Sequence, residues 1–291
     1  MSTPAVTAVV LNWCGEEVTR ECLRSLLAAD YPALTILLVD NGSPDGSGER
    51  LHAAFPRVAY LQTGSNLGYT GGNNRGITWA LEHGAEHVLV LNNDTVVEPD
   101  AVTRLVEAAG EGSQVGAVAP KILYFGEPGR IWFAGGIFSA ARGTGLHERQ
   151  GQRDLPAADG RVRDITFVTG CCCLLTAAAL RAVGGFAEDF FAYVEDVELS
   201  LRLSRAGYRL LYQPAARVRH HVRDAAAGPT PFQILHRDRN RRRLARRHLA
   251  PGQRLLFAAR FYPTRLLKLA HYAGIGDWAR AGAIWRGMTT P

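Results

Sequence analysis

The sequence predicts an α/β protein with a doubly wound, mostly parallel sheet and a helical C-terminal extension. Two observations support this fold class. Apolar strand-like runs alternate with helical patterns over the first 112 residues. The runs are also continuously apolar, as expected for strands covered on both faces. With 291 residues, 47% hydrophobic and 21% charged, the chain can bury a full core, and its composition indicates neither disorder nor a fibre.

The first half of the chain is predicted to hold four strands. Turn-forming or helical segments separate them, and the second, "LTILLVD", and the fourth, "HVLVLN", are the most continuously apolar. The strands are residues 5–13, 34–40, 57–63 and 87–92. The helices are residues 17–29, residues 47–55 and a segment that ends near residue 83.

Right-handed crossovers place the carboxyl ends of parallel strands on one edge of a sheet, where ligands bind in open α/β folds. Asn12, Asp40 and Asp94 all fall at such ends. This convergence is the strongest physical indication of a binding site in the sequence.

The pattern becomes mixed after residue 112. Short strands are predicted at 115–119 and 131–138, and the polar, glycine-rich stretch 140–164 is expected to be a mobile loop over the site. A strand-like segment, a helix and a final strand follow, at 165–176, 193–208 and 209–221. We therefore expect one domain over residues 1–225 and a basic helical extension over residues 226–291.

Charge is distributed unevenly along the chain. Residues 1–110 carry six Arg, no Lys and 13 acidic residues, whereas "HRDRNRRRLARRH" (236–248) sets seven Arg against one Asp. Such a run suits an anionic lipid, a phosphorylated ligand or nucleic acid, or it is simply a solvated helix face. Because no aromatic residue interleaves the run and no nucleic-acid-binding motif accompanies it, we expect no nucleic-acid partner.

The five cysteines form neither a disulfide framework nor a paired zinc site, since they stand at 14, 22 and 171–173. Reduced thiols suit a cytoplasmic protein. The N-terminal residues lack a signal peptide, and the longest uncharged apolar segment, 168–180, is shorter than a spanning helix. The sequence therefore predicts a cytoplasmic protein, with a peripheral place on the inner face of the membrane left open.

A polar cluster follows the fourth predicted strand, where the apolar run gives way to Asn93, Asp94 and Thr95. One carboxylate at that edge can hold Mg2+ or Mn2+ together with oxygens of a diphosphate. The alternative is that Asp94 caps the helix that begins near Pro99. Because Pro99 is five residues on from Asp94, a direct cap is disfavoured, and we favour the metal.

Two further segments at the same edge suit a nucleotide. Asp40 is followed by "NGSPDGSGE", where a carboxylate can accept a hydrogen bond from a nucleobase and turn amides can face anionic groups; alone, the segment is also an ordinary turn. "NLGYTGGNNRG" (66–76) is interpreted as a glycine loop that enters a helix. It is neither G-x-G-x-x-G nor a P-loop, which disfavours an NAD-dependent oxidoreductase and an NTPase.

Two acidic residues, Glu195 and Asp196, lie in the first turn of the helix predicted at 193–208. Acidic residues at that place can simply complement the helix dipole. A carboxylate aimed into a cleft can instead act as a general base. Both interpretations remain open at this point.

Two histidines, His220 and His221, close the last predicted strand. Because side chains alternate along a strand, one of them is expected to face the cleft and the other to pack elsewhere. The histidine in the cleft can complete a metal shell with Asp94, or it can be purely structural.

Seven segments occur in an order that is more specific than any single motif: "VVLNW", "VDNGSPDGS", "NLGYTGGNNRGI", "LNNDT", "VTGCCCLL", "GGFAEDFFAYVEDVELSLR" and "PAARVRHH". In this order they closely resemble family 2 inverting glycosyltransferases of the GT-A fold, in particular the rhamnosyltransferase-like bacterial branch. The resemblance covers about residues 5–221. It implies a Rossmann-like GT-A sheet with a nucleotide-binding half at 1–112 and an acceptor-binding half at 113–225.

The resemblance also implies roles for individual residues. Asp94 matches the metal-binding D-x-D element, although the sequence here is N-N-D-T, so that metal binding leans on His220. Asp196 matches the catalytic base, with Glu195 beside it. The residues implied to bind the nucleotide are Asn12, Asp40, Asn41, Asn66, Gly68, Gly72, Asn73 and Asn93.

The implied reaction is a single displacement with inversion. Asp196 deprotonates an acceptor hydroxyl, which attacks C1 of a sugar, with rhamnose one candidate, carried by dTDP or UDP, and Mg2+ or Mn2+ supports the leaving diphosphate. The acceptor is a glycan, a glycolipid or a small molecule. Alternatives are a nucleotide-sugar-binding protein without turnover and a nucleotidyltransferase with a similar sheet.

The C-terminal extension contains the amphipathic segment "RLLFAARFYPTRLLKLAHYAG". Such a segment can lie in a membrane interface, with its cations toward anionic lipid. It can also pack on the catalytic domain or on a second subunit of a homo-oligomer. If it binds membrane, we expect the anionic lipid to contact Arg241, Arg242, Arg243, Arg246 and Arg247.

Overall fold

The protein is described by a computed structural model that covers residues 3–112, 114–127, 129–155, 160–222 and 228–290. The predicted domain boundary at residue 225 lies outside the described residues. The strands are β1 (Val6–Asn12), β2 (Leu34–Asp40), β3 (Ala59–Gln62), β4 (His87–Asn92), β5 (Thr95–Val97), β6 (Val115–Tyr124), β7 (Ile131–Phe133), β8 (Gly136–Ser139), β9 (Thr144–His147), β10 (Arg163–Ile165), β11 (Cys172–Thr176) and β12 (Arg209–His220). The helices are α1 (Glu16–Leu27), α2 (Ser47–Ala54), α3 (Gly68–Glu82), α4 (Ala101–Ala109), α5 (Ala177–Val183), α6 (Glu195–Arg205), α7 (Pro231–His248), α8 (Pro251–Gly274) and α9 (Trp278–Thr289).

The main sheet has the order β10-β12-β6-β11-β4-β1-β2-β3, with β5 beside β12 and β7 beside β6. Neighbours β3-β2-β1-β4 run parallel, as does β12 beside β6. The prediction of a doubly wound, mostly parallel sheet is confirmed. The exception at its centre is β11, which runs antiparallel to both β4 and β6.

Two structural predictions about polar or glycine-rich segments were wrong. Within the described part of 140–164, Thr144–His147 forms β9, which pairs with β8 in a hairpin, and Asp154 is buried in an ion pair with Lys121 at 2.7 Å. The segment is thus largely anchored rather than a mobile loop. The glycine loop expected at 66–76 is helical from Gly68 onward, as the first turns of α3.

The glycines of α3 have a packing role. A Cβ at Gly72 would lie 2.5 Å from a methyl group of Leu11, and one at Gly76 would lie 2.3 Å from a methyl group of Val9. Both contacts are with β1. These residues therefore let the helix backbone lie close against the sheet.

The C-terminal helices pack on the sheet domain and on one another. Leu244 of α7 joins the main hydrophobic core. A second, smaller core lies among α7, α8 and α9, and its buried members are Ile234, Ala245, Leu249, Phe257, Phe261, Ala283, Ile284 and Met288. In the described part of the chain, no helix is both long enough and apolar enough to cross a membrane.

Candidate active site

The ends of several strands meet at one edge of the sheet. Asn12 at the end of β1 is in register with Asp40 at the end of β2, and β4 ends beside them at Asn92. Because β11 runs in the opposite direction, it begins where these strands end, and Asn92 donates a backbone hydrogen bond to Cys171 at 2.8 Å. The predicted convergence at this edge is therefore present.

Asp94 and His220 are adjacent at this edge. Thr95 is in register with His220 at the end of β12, and the imidazole Nε2 of His220 lies 3.1 Å from Oδ1 of Asp94. His221 points elsewhere: it contacts Glu21 at 2.7 Å and stacks on Phe125. The alternation expected for the two histidines is observed.

The atoms of this pair fit a divalent cation. Although His220 Nε2 lies 3.1 Å from Asp94 Oδ1, this oxygen makes no hydrogen bond within the described chain. The other imidazole nitrogen, His220 Nδ1, also has no hydrogen-bond partner there. A carboxylate oxygen and an imidazole nitrogen are donors that suit Mn2+. The described residues contain no cluster of three or more His, Cys, Asp or Glu side chains able to hold a metal. Asp94 and His220 would therefore need oxygens of a ligand to complete the coordination of an ion. Mg2+ is commonly bound in this way, by one or two carboxylates together with phosphate oxygens of the substrate.

Asp196 lies in the first turn of α6, as expected. Its Oδ2 accepts from the N–H of Gly170 at 3.0 Å, and its Oδ1 accepts from its neighbour Val197 at 2.8 Å. Burial raises the pKa of the Asp196 carboxyl, and these two backbone N–H groups act in the opposite direction. The result is a fixed carboxylate with an elevated pKa, which suits a base.

Glu195 differs from its neighbour. It is more deeply buried, and its Oε2 has no hydrogen-bond partner among the described residues. Burial, with the nearby charge of Asp196, raises the pKa of Glu195 well above its ordinary value. Of the pair, Asp196 is therefore the one that ionises first and is available to accept a proton.

Cys171 connects the two carboxylate sites. Burial raises the pKa of its thiol, and the next largest contribution comes from the charge of Asp94, with Asp196 also contributing. The backbone contacts agree, because Gly170 donates to Asp196 at 3.0 Å and Asn92, two residues before Asp94, donates to the carbonyl of Cys171, which directly precedes β11. The candidate metal ligands and the candidate base belong to the same site.

The loop that enters α6 has an unusual backbone. Phe191 has φ 61° and ψ −59°, and Ala192 donates to the carbonyl of Phe190 at 2.7 Å, which is a classic γ-turn, a rare and strained conformation. Tyr193 and Val194 also have positive φ values, of 69° and 73°. One γ-turn and two further residues with positive φ thus lead the chain into α6, where Glu195 and Asp196 stand in the first turn.

Asn240 of α7 holds this loop in place. Its side-chain amide nitrogen lies 2.7 Å from the carbonyl oxygen of Phe190, 2.9 Å from that of Ala192 and 2.8 Å from that of Tyr193. Asn240 is fully buried. This residue is not predicted as functional from the sequence, although it is the only asparagine within the arginine-rich run.

Asn12 and Asp40 form a buried network behind the site edge. Asn12 donates to Asp40 at 3.0 Å and to Ser43 and Ser47, while the Asp40 carboxylate also accepts from Ser43 and Gln62. Asn93 joins through Thr19, to which it donates at 2.7 Å. Since both Asp40 oxygens are already engaged, a contact with a nucleobase requires one partner, such as the half-exposed Gln62, to move.

The other predicted nucleotide residues surround the start of α3. Asn41 donates to Asn66 at 3.2 Å and to the carbonyl of Gly68 at 3.0 Å. Asn73 donates to the carbonyl of Tyr69, and its Oδ1 is buried with no partner in the described chain. Gly72 faces Leu11 and Asn41. All of these lie along one side of the same edge.

Aromatic side chains also border the site, which the sequence analysis did not anticipate. The ring of Trp132 meets His220 edge-on at a centroid distance of 4.7 Å and His147 at 4.4 Å. Burial lowers the pKa of His147 to about 4, so this imidazole is neutral at pH 7. Arg237 of α7 lies 4.9 Å above the ring of Tyr193, and its positive charge acts to lower the pKa of Asp196.

The profile of the family described as glycosyltransferase like family 2 matches residues 4–244. The chain belongs to this glycosyltransferase family. A curated relative, the N-acetylglucosaminyl-diphospho-decaprenol L-rhamnosyltransferase of Mycobacterium tuberculosis, is 32% identical over 226 residues, covering 68% of this chain and 70% of the relative. The O-antigen biosynthesis protein RfbC of Myxococcus xanthus is 31% identical over 75% of this chain and 17% of its own length.

Solved structures show that the fold is the GT-A glycosyltransferase fold. GalNAc-T7 with UDP, GalNAc and Mn2+ superposes with a TM-score of 0.64 at 15% identity, covering 84% of this chain and 48% of its own. The mannosyltransferase PcManGT from Pyrobaculum calidifontis, with GDP-Man and Mn2+, superposes with a TM-score of 0.61 at 18% identity, covering 99% and 84%. The predicted family and fold are confirmed.

Proposed function

We propose that this glycosyltransferase transfers a sugar, with inversion at C1, from a nucleoside diphosphate to an acceptor hydroxyl. The observation that carries the proposal is that one site contains two carboxylates with different hydrogen-bonding partners. Asp94 is paired with His220 at 3.1 Å, and Asp196 is fixed by two backbone N–H groups near the same Cys171. One carboxylate suits the leaving diphosphate and the other suits the attacking hydroxyl.

In this mechanism Asp196 accepts the proton of the acceptor hydroxyl as the oxygen attacks C1 of the sugar. The bond from C1 to the diphosphate oxygen breaks on the opposite face, so the configuration inverts. Burial and the charge of Asp196 raise the pKa of Glu195 well above its ordinary value, which favours its protonated form; in that form Glu195 can donate a hydrogen bond to a substrate oxygen.

Asp94 and His220 would hold the Mg2+ or Mn2+ ion. When bound, such an ion offsets the negative charge that develops on the leaving diphosphate. The side chains along α3 and the Asn12 network, including Asn41, Asn66 and Asn73, line the region that we assign to the nucleotide. Residues 1–112 are thus the nucleotide half and residues 113–225 the acceptor half.

For the donor we propose a dTDP- or UDP-sugar, with rhamnose as the first sugar to test. The relative from Mycobacterium tuberculosis, whose name specifies an L-rhamnosyl group and a lipid diphosphate acceptor, supports this choice. The corresponding acceptor is a lipid-linked glycan diphosphate, which would place the enzyme at the cytoplasmic face of a membrane.

A thermal-shift screen tests the proposal. Nucleoside diphosphates (dTDP, UDP, GDP and ADP), each with and without Mn2+, are added to the protein. We expect one pyrimidine nucleotide to raise the melting temperature, and to do so more strongly with Mn2+. Equal or absent stabilisation by all four nucleotides would contradict the assignment of the site.

A further inference from the structure

The outer face of α8 is apolar and is not covered by any described part of the chain. Leu255 and Leu267 are 74% and 72% exposed, and Leu256, Tyr262 and Leu266 are exposed as well. An exposed apolar surface of this extent in a soluble domain usually marks an interaction site.

The spacing of these residues makes one continuous face. Positions three, four and seven residues apart lie on the same side of a helix. None of the residues on this face carries a charge. They are Leu255, Leu256, Ala259, Tyr262, Pro263, Leu266, Leu267, Ala270 and Gly274.

A different face of α8 makes its intramolecular contacts. Phe257 and Phe261 are buried in the smaller core, where Arg241 of α7 lies 4.9 Å above the ring of Phe261. Asp238 of α7 binds Arg265 at 2.9 Å on this inner side. The outer face of α8 therefore does not contribute to the packing of this helix against the rest of the described chain.

The neighbouring helix α9 shows the same division. Its buried residues include Ile284 and Met288, whereas Trp278 and Trp285, seven residues apart, are 71% and 56% exposed. Tryptophan and tyrosine are characteristic of the interfacial region of membranes, where the ring is apolar and the polar N–H or O–H reaches water.

Several of the α7 arginines expected to contact lipid are engaged within the protein itself. Burial lowers the pKa of Arg241 to about 10, Arg242 donates to carbonyls of Gly287 and Thr290, and Arg247 binds Asp189 at 2.9 Å. Most of the run thus joins α7 to the rest of the protein. Arg237, Arg246 and Arg247 are the exposed members.

We propose that α8 lies in the headgroup region of an anionic bilayer, with its apolar outer face toward the acyl chains. Residues 249–291 carry six Lys and Arg against one Asp, and the exposed cation Arg260 borders this face and matches anionic headgroups. The helix of 24 residues would lie about 36 Å along the surface.

Charge favours a bilayer over a second copy of the chain as the occupant of this face. Two copies joined through α8 would bring two strongly basic segments together, and like charges at an interface cost affinity. Only the biological purpose of membrane binding rests on the proposed function: the bilayer would hold a lipid-linked acceptor close to the enzyme.

Vesicle sedimentation tests the inference on the full-length protein. Vesicles of phosphatidylcholine with phosphatidylglycerol are compared with vesicles of phosphatidylcholine alone. The variant carries Leu255→Gln, Leu266→Gln and Leu267→Gln together, and the matched control is Leu155→Gln, a leucine that is 58% exposed outside α8. A second control, Arg246→Gln, probes one exposed arginine of α7.

We expect the wild type to bind the anionic vesicles, and to bind them less as the salt concentration rises. The partition coefficient of the triple variant should be lower by roughly tenfold or more. Both controls should stay close to wild type. A wild type that remains in the supernatant overturns the inference, as does a wild-type dimer that the triple substitution converts to a monomer in light scattering. Nucleotide stabilisation in the thermal-shift screen is measured separately, so failure of the proposed function would be seen there and not in sedimentation.

Discussion

Replacing Asn240 with Asp removes the amide donor that three loop carbonyls share, while it keeps the size of the side chain. The carbonyls of Phe190, Ala192 and Tyr193 lie 2.7–2.9 Å from the amide nitrogen. Because the amide nitrogen carries two hydrogens, a net contribution of about 0.5–1.5 kcal/mol for each hydrogen bond gives a loss of at least about 1–3 kcal/mol, to which the buried carboxylate facing the carbonyls adds.

The effect on turnover should exceed what a loss of stability alone would produce. The restrained loop holds positive φ angles at Phe191, Tyr193 and Val194, each of which costs about 1–2 kcal/mol for a residue with a side chain. Without the Asn240 contacts the loop can relax, and Asp196 moves with it. Misplacement by about 1 Å can cost 10²-fold in rate.

The assay measures nucleoside diphosphate release at saturating donor, together with nucleotide affinity and melting temperature. We expect Asn240→Asp to lower kcat by about 10²-fold at a temperature where the variant is folded, with nucleotide affinity little changed. Arg246→Gln, on an exposed position of the same helix, is the matched control and should behave like wild type. A variant that melts earlier but keeps its full kcat would show that Asn240 stabilises the fold without positioning the base.

Three further results are expected. Asp94→Asn keeps the shape of the side chain but should abolish the additional thermal stabilisation that Mn2+ confers with a nucleoside diphosphate; persistence of that effect would move the metal elsewhere. Gly76→Ala, where a Cβ would lie 2.3 Å from Val9, should lose about 1–3 kcal/mol of stability by overpacking, whereas Gly252→Ala, which has open space, should lose none. Because the pKa of His147 falls from 6.5 to about 4 on folding, its stability contribution is present above pH 6.5 and is lost as the pH falls toward 4. Denaturant titrations should then show that wild type loses about 2–3 kcal/mol more than His147→Phe between pH 7 and 4.5, and equal losses would refute this.

The parallel half of the sheet could be predicted because its strands are continuously apolar and each ends in a polar residue. Asn12, Asp40 and Asp94 were placed at one edge by the handedness of crossovers alone, and the structure agrees. The antiparallel insertion of β11 could not be predicted in this way. Cys171–Cys173 and the residues after them read as a buried strand in either direction, and only the pairing with β4 and β6 decides it.

The role of polar groups that pair over long distances was not accessible from the sequence. Asp154 looked like part of a solvated loop because its partners Lys121 and Arg217 lie 33 and 63 residues away. The arginines of α7 likewise looked available to an outside anion, whereas Asp189 and Glu198 bind several of them. In both cases the sequence correctly indicates charged side chains that need an ionic partner, but that partner is another residue of the same chain.

The central claim is that Asp196 removes the proton from the acceptor during transfer. The direct test compares Asp196→Asn with Glu195→Gln and wild type, using the donor selected by the thermal-shift screen and a soluble N-acetylglucosaminyl diphosphate lipid analogue as acceptor. The quantity measured is the acceptor-dependent kcat, alongside the dissociation constant of the nucleotide. We expect Asp196→Asn to lose about 10²-fold or more in kcat with unchanged nucleotide affinity, and Glu195→Gln to lose less. Turnover near the wild-type rate in Asp196→Asn, or a loss confined to nucleotide affinity, would contradict the account.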